Sequence, residues 1–435
     1  MPLVHIVHCI DTEGPLSESL VATFERIKEV FGVDIAPSKE NLTKLQEGSI
    51  ELNGLEDAIR RMVSPKLLSY NSSFGQLRKM LLELLSKEAR NSLLDSFGEG
   101  WIYSWHCMDH IDYKTNPRNK KIGYGEIFKF YRDILEETNS NKDEINWHFH
   151  PISITKNSLN AATSYLNSYP ILLQILCKRV IEDNWFPVVN RPGFHSIRPD
   201  SHNFLENWIP FDYSNQSYED QVDQPDLSDG RFGDWRRAPT SWRGYHPSHE
   251  DYQVEGSCNR TIFRCLNLGT RFKTINLEHI HQAFSEAEKE GKSILSFANH
   301  DYRDMREDLC DIKALIKKTA KVFPQVNYKF SGAEEAATDL INEKPVKTPE
   351  LDLHIEKNIL HVSCIRGNIF GPQPFLSIKD KKGNYFHDNF DLQVPKKLWT
   401  YTFDNQTLPL EEVAIVGAGT AGIFGGSDVK IIKLS

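Results

Sequence analysis

Two histidines separated by one residue, His148 and His150, and two acids with the same spacing, Asp11 and Glu13, are the side chains of this sequence best suited to chemistry. Each pair closes a short apolar run, in EINWHFHP and in LVHIVHCIDTEGP. Residues two apart on a β-strand project to the same face, so each pair can address one point in space. Two imidazoles and one carboxylate around a divalent cation leave further positions open for water and substrate, as a hydrolytic centre requires. Such an ion brings the pKa of water toward neutrality and polarises a carbonyl, and the second acid then stands within reach of the water's proton. Two further polar clusters end strands in the same way, Asn190-Arg191-Pro192-Gly193-Phe194-His195 and Asn299-His300-Asp301.

A barrel of alternating parallel strands and helices gathers the C-terminal ends of its strands into one site. The strands WIYSWHCMD, EINWHFHP, PVVNRPGFHS and SILSFANHD alternate here with the amphipathic helices GEIFKFYRDILEET and DLCDIKALIKKTAKVF, the pattern of parallel strands under covering helices. Between the first strand and the second runs an excursion over about residues 16–99, with helical spacing in segments such as GQLRKMLLELL, and it reads as an inserted helical segment. EKPVKTPE, residues 343–350, carries two prolines among charges and reads as a linker. Beyond it ILHVSCIRG, PFLSIKD, KLWTYTF, VAIVGAG and VKIIKLS are short strands between turn residues. The expected fold class is α/β: a (β/α) barrel over residues 1–342 and a small C-terminal all-β sandwich over 351–435.

The order of the motifs resembles the polysaccharide deacetylase (NodB-like) family, in which an acidic motif, a histidine pair before proline, an R-P-G motif, an Asp-Trp motif and a late histidine follow one another. Here these are Asp11/Glu13, His148/His150/Pro151, Arg191/Pro192/Gly193, Asp234/Trp235 and His300. The resemblance implies a barrel of that family's type, with Glu13, His148 and His150 holding a divalent metal ion. Zinc is the first expectation, and cobalt, manganese or iron suit the same donors. It also implies that Asp11 is the general base, that Arg191 orients Asp11, and that His300 protonates the departing amine from the other side of the reacting carbon. The Asp-Trp motif would wall a sugar pocket and brace Arg191 or His300, and Trp147, His195, Asp234 and Trp235 are the expected substrate contacts. Two departures stand out. The family's commoner motif has adjacent aspartates where this chain has Asp-Thr-Glu, which leaves Asp11 and Glu13 exchangeable, and its commoner histidine spacing is four rather than two.

The implied activity is metal-dependent removal of an acetyl or formyl group from an amino sugar or a sugar-containing precursor, a step of carbohydrate metabolism. Two alternatives stand beside it: the same metal site acting on another C–N bond, such as a cyclic amide or imide, and an inactive carbohydrate-binding scaffold. The aromatic and arginine-rich stretch GDWRRAPTSWRGYHPS, residues 233–248, suits stacking on sugar faces and holding anionic groups.

The remaining features mainly exclude. A hydrophobic fraction of 39% beside 26% charged residues allows a sizeable core and argues against disorder. The net charge of -9 is spread along the chain with no basic stripe, so nucleic acid is not an expected partner. No basic leader precedes Asp11 and no stretch approaches the ~20 apolar residues of a membrane span, so the expected location is the cytoplasm. The 7 cysteines are scattered without a C-x-x-C pair and are expected to be reduced thiols. The G-x-G-x-x-G match at residues 417–422 lacks room for the helix and acidic residue that dinucleotide binding needs and is expected to form turns. The second H-x-H, His279 and His281, falls within a helix, where positions two apart diverge, and is expected at the surface.

Overall fold

The computed structural model describes residues 1–110, 123–151, 165–219, 233–270, 272–342 and 347–434. Strand β1 (Leu3–Thr12) is buried along nearly its whole length. Its apolar run lacks a polar alternation because neither face meets water. Helices α1 (Leu20–Phe31), α2 (Lys39–Glu47), α3 (Glu56–Met62), α4 (Phe74–Leu84) and α5 (Lys87–Asn91) follow it directly. Ser19, Ser38, Ser73 and Ser86 begin four of them, each side chain accepting a first-turn amide N–H. The first three helices close a core of their own around Phe24, Ile27, Leu45, Ile59 and Met62. Helix α4 instead lays Leu77, Met80, Leu81 and Leu84 into a core shared with Val4, Ile6 and Ile10 of β1, so the insertion is anchored to the strand that carries Asp11.

The chain then runs β2 (Ser104–His110), α6 (Tyr124–Glu137), β3 (Glu144–His150), α7 (Tyr169–Asp183), β4 (Val189–Asn190), α8 (Pro199–Trp208), β5 (Phe211–Asn215), β6 (Thr261–Arg264) and β7 (Leu266–Asn267). It continues through α9 (Leu277–Glu290), β8 (Lys292–His300), α10 (Arg306–Val322), β9 (Asn327–Phe330) and α11 (Ala333–Ile341). The strands pair in parallel in the order β6-β5-β4-β3-β2-β1-β8-β7. Only Cys265 separates β6 from β7, and its N–H donates to the Asn215 carbonyl at 2.8 Å. The sheet thus comes round to within one residue of closing and forms a nearly closed barrel. Strand β9 pairs the foot of β1 at Leu3–Ile6, on the edge that β2 takes higher up at Cys9–Thr12, and fills the space where those two strands splay.

After residue 347 come β10 (Glu350–Glu356), β11 (Ile359–Arg366), β12 (Phe375–Asp380), β13 (Tyr385–Phe386), β14 (Asp391–Val394), β15 (Leu398–Thr402), β16 (Val413–Ala421) and β17 (Ser427–Lys433). They form two antiparallel four-stranded sheets, β10-β11-β15-β14 and β13-β12-β16-β17, which share a core of residues such as Leu360, Val362, Trp399, Leu376, Ile378 and Val416. Of the expected linker, residues 343–346 lie outside the described residues and Glu350 already belongs to β10. Among the described residues no helix is long and apolar enough to cross a membrane.

Two expectations are corrected here. Of the glycines of residues 417–422, Gly417 and Gly419 do not form turns but lie inside β16, bonded on both edges to antiparallel neighbours, while Gly422 opens the turn that follows, its carbonyl accepting from Gly425 N–H at 3.1 Å. A Cβ at Gly419 would stand 2.7 Å from the Phe186 ring and 2.9 Å from Val180. The glycines therefore let the sandwich lie flat against α7 of the barrel. His279, expected at the surface, is 3% exposed. It completes the amino-terminal cap of α9 with Asn276, and its Nε2 lies 2.8 Å from Glu219 Oε2.

Candidate metal centre

Strand ends bring the reactive side chains together. Asp11 on β1 is in register with His300 on one neighbour, β8, and with His106 on the other, β2. His148 and His150 end β3, where alternation turns both rings inward. Beyond β4 the chain makes a tight reversal in which Phe194 (φ 53°) and His195 (φ 52°) are both left-handed. Such conformations in residues with a side chain cost about 1–3 kcal/mol each and persist only where surrounding structure imposes them. Here the reversal lays Phe194 edge-on to His150, ring centroids 5.3 Å apart, and brings Gly193 beneath the same imidazole.

Glu13, His148 and His150 offer ligand atoms that all lie within 4.8 Å of one another. The Nδ1 of His148 is 2.6 Å from the Arg191 carbonyl. A carbonyl only accepts, so Nδ1 carries the proton and the Nε2 lone pair is left facing inward. That Nε2 is 2.8 Å from His150 Nε2. Burial, and then the neighbouring His148, hold His150 well below the usual histidine range, so its ring is neutral. Two imidazole nitrogens and a carboxylate converging on one point match the donor set of a catalytic zinc or similar ion.

Beside this triad lies a buried ion pair. Arg191 Nε donates to Asp11 Oδ1 at 2.7 Å, with Arg191 0% and Asp11 1% exposed. Arg191 Nη1 donates to the Tyr213 carbonyl at 2.8 Å, which fixes the plane of the guanidinium. The Nε2 of His300 is 3.7 Å from Asp11 Oδ2 and 3.7 Å from Glu13 Oε1. The in-register pairing of β1 with β8 thus sets the His300 imidazole directly beside the two acids. Burial pushes His300 down to about 3, with Arg303, Arg191 and His148 adding to the shift and Asp11 opposing it. At neutral pH the imidazole is uncharged.

The expected substrate contacts divide. Trp147 is fully buried on the opposite face of β3, where its Nε1 donates to Asp109 Oδ2 at 2.8 Å, so the alternation that turns His148 inward turns Trp147 away from the site. His195 does face the cluster, and its protonation is disfavoured by burial first and then by Arg191 and His300. Trp235 braces neither Arg191 nor His300 through its indole N–H, which donates to the His195 carbonyl at 2.9 Å. Asp234 turns outward to pair with Arg236 at 3.0 Å. The Asp-Trp motif therefore supports the strained reversal at His195.

Two residues important to this geometry carried no role from sequence. Asp301 accepts the amide N–H groups of Glu13 (2.9 Å) and Gly14 (3.0 Å) and the hydroxyl of Tyr131 (2.9 Å), so it holds the turn from which Glu13 projects. Burial pushes its carboxyl up to about 7. Its position beside His300 at a strand end was the available signal. His106, fully buried beside Asp11, becomes conspicuous only once β1 and β2 are paired.

A Cβ on Gly193 would stand 2.6 Å from Cγ and Nδ1 of His150. Gly193→Ala is expected to displace that ring and weaken metal affinity about 10- to 100-fold, as loss of an outer support does. Competition with a chelator measures this. An unchanged affinity would mean that His150 is not a ligand.

No family model matches the chain, and no curated protein matches it. Among solved structures it is similar to "Superoxide reductase (1Fe-SOR) from Giardia intestinalis" at 13% identity over 21% of this chain and 100% of that one, with a TM-score of 0.16, too low to carry an argument.

Proposed function

We propose that the protein is a metal-dependent amide hydrolase that removes an acetyl or formyl group from an amino sugar or a sugar-linked precursor. The convergence of Glu13, His148 and His150 beside the buried Asp11–Arg191 pair carries this reading. A divalent cation held by the three, zinc foremost, would supply Lewis acidity, polarising the acyl carbonyl and acidifying a water. Asp11 accepts the proton of the attacking water. Arg191 fixes the orientation of its carboxylate through the 2.7 Å bond from Nε to Asp11 Oδ1. His300, neutral at rest and 3.7 Å from Asp11 Oδ2, is placed to receive that proton and return it to the nitrogen as the C–N bond breaks. Water and amide are thereby converted to carboxylic acid and amine with one proton relayed. The sugar preference rests on the family resemblance alone, because Trp235, Trp242 and Tyr245 of the aromatic stretch are buried and Arg236, Arg237 and Arg243 are paired with Asp234, Asp251 and Glu290. We further propose a cytoplasmic setting and a biosynthetic precursor as substrate, which cell fractionation would overturn by finding the protein exported.

Elemental analysis of the purified protein beside His148→Ala and His150→Ala is the direct test. The expected result is near-stoichiometric transition metal in the parent and its loss in both variants. Amine release from N-acetyl and N-formyl hexosamines should disappear with it. No bound metal, together with no thermal shift on adding zinc, cobalt or manganese, would leave a sugar-binding scaffold as the better reading.

A further inference from the structure

Among the described residues every buried arginine has a carboxylate partner, and a half-buried arginine near the site differs from them. Arg26, Arg179, Arg191, Arg260 and Arg264 are buried, and each is paired with a carboxylate, of Glu18, Asp109, Asp11, Asp212 and Glu219 respectively. Arg303 is half-buried, yet among the described residues no carboxylate lies within ion-pair distance of it. Its position is nonetheless strongly constrained. The Nε donates to the Leu67 carbonyl at 3.2 Å, and the guanidinium carbon lies 4.8 Å from the Tyr302 ring centre and 5.9 Å from that of Tyr70. The Arg303 backbone forms an antiparallel bridge with Tyr70, and the Asn71 side-chain amide donates to the Asp301 and Arg303 carbonyls at 2.9 and 3.1 Å. The inserted helical segment thus clasps the stem of Arg303, and among the described residues neither terminal nitrogen has a hydrogen-bond acceptor.

The clasped guanidinium belongs to the rim of the candidate centre. Its backbone N–H donates to the His300 carbonyl at 3.4 Å. Tyr302 alone separates the two side chains, its ring centre 5.1 Å from that of His300 and within stacking distance of the guanidinium. An arginine that is preorganised, partly desolvated and lacking an internal counter-ion presents a planar fork matched to an oxyanion. Were its role only to fasten the insertion to the barrel, a neutral side chain would avoid the cost of partly burying a charge.

We propose that Arg303 binds an oxyanion on the substrate, so that the sugar hydrolysed here carries a phosphate or a carboxylate. This rests on the hydrolase reading for the reaction, but the binding of the anion stands apart from it. The Tyr70–Arg303 bridge gives the insertion a purpose: it holds the specificity-determining cation in place.

Matched N-acetylhexosamine substrates test this in the holoenzyme: a neutral methyl glycoside, the 1-phosphate and the corresponding uronic acid. The parent should prefer an anionic substrate in kcat/KM by about 10- to 100-fold, the range of a charge-assisted contact. Arg303→Gln should remove most of that preference through KM, and Arg303→Lys should restore part of it. The phosphate and carboxylate arms identify which oxyanion is recognised. Calorimetric titration with N-acetylglucosamine 1-phosphate reads binding without turnover and should weaken by a similar factor in Arg303→Gln. Equal use of neutral and anionic sugars by the parent, or a loss in Arg303→Gln that is the same for both, overturns the proposal. Binding of the phosphorylated sugar that depends on Arg303, with no amine released, upholds the anion site and overturns the hydrolase reading instead.

Discussion

Asp11→Asn should lower kcat for amide hydrolysis about 1,000-fold, within the range for loss of a general base, while bound metal stays near stoichiometric. Asparagine keeps an oxygen for Arg191 Nε to bond, now 2.7 Å from Asp11 Oδ1, so the local geometry is preserved while the basic oxygen pair is lost. The metal content makes the result decisive between two assignments that the Asp-Thr-Glu spacing leaves open. If Asp11 is the base and Glu13 the ligand, Asp11→Asn is metal-bound and inactive, and Glu13→Gln loses metal. The reverse pattern would exchange the two roles. Retention of more than about a tenth of parental kcat in Asp11→Asn would remove Asp11 from the proton path altogether.

Arg191→Met should destabilise the fold by about 3–5 kcal/mol, the cost of leaving one member of a buried ion pair without its partner. The pair is inaccessible to solvent, and the guanidinium also bonds the Tyr213 carbonyl, so its removal strands an acceptor on β5 as well as a carboxylate on β1. An uncompensated buried carboxylate relieves the strain by taking a proton, which raises its folded-state pKa. The sign follows: a raised carboxylate pKa contributes stability that is present at low pH and is lost as pH rises. The gap in unfolding free energy between parent and Arg191→Met should therefore widen from pH 5 to pH 8. Adding Asp11→Asn should recover part of the loss by removing the stranded charge. A gap independent of pH, with no recovery in the double variant, would mean that Arg191 contributes packing alone. Denaturant titrations at the two pH values measure both effects.

Much of the candidate centre was legible because it depends on local rules. Two-residue spacing on a strand places His148 and His150 on one side, and strand ends gather polar clusters in a barrel, so spacing brought the histidine pair and the acid pair together, while the choice of Glu13 over Asp11 came from the family resemblance. The alternation of strands and helices, the inserted helices and the β-rich tail were legible for the same reason. Trp147 was misassigned although the governing rule was available, since the residue next to an inward histidine on a strand must itself face outward, here against Asp109. The glycines of β16 were misread as turns because their purpose, close approach to Val180 and Phe186, involves residues more than 200 positions away.

By itself, then, the sequence determined the two candidate pairs, Asp11/Glu13 and His148/His150, and the type of most elements, which depend on periodicities of two or about 3.6 residues along the chain. The tertiary structure decided which strands are neighbours, and with that the relations between side chains distant in sequence. The pairing of β1 with β8 sets His300 against Asp11, Asp301 reaches back to hold the turn at Glu13, and the insertion clasps Arg303 beside the site. None of these relations has a local signature, because hydrogen-bond register between distant strands and the pairing of buried charges are settled only when the barrel comes round on itself.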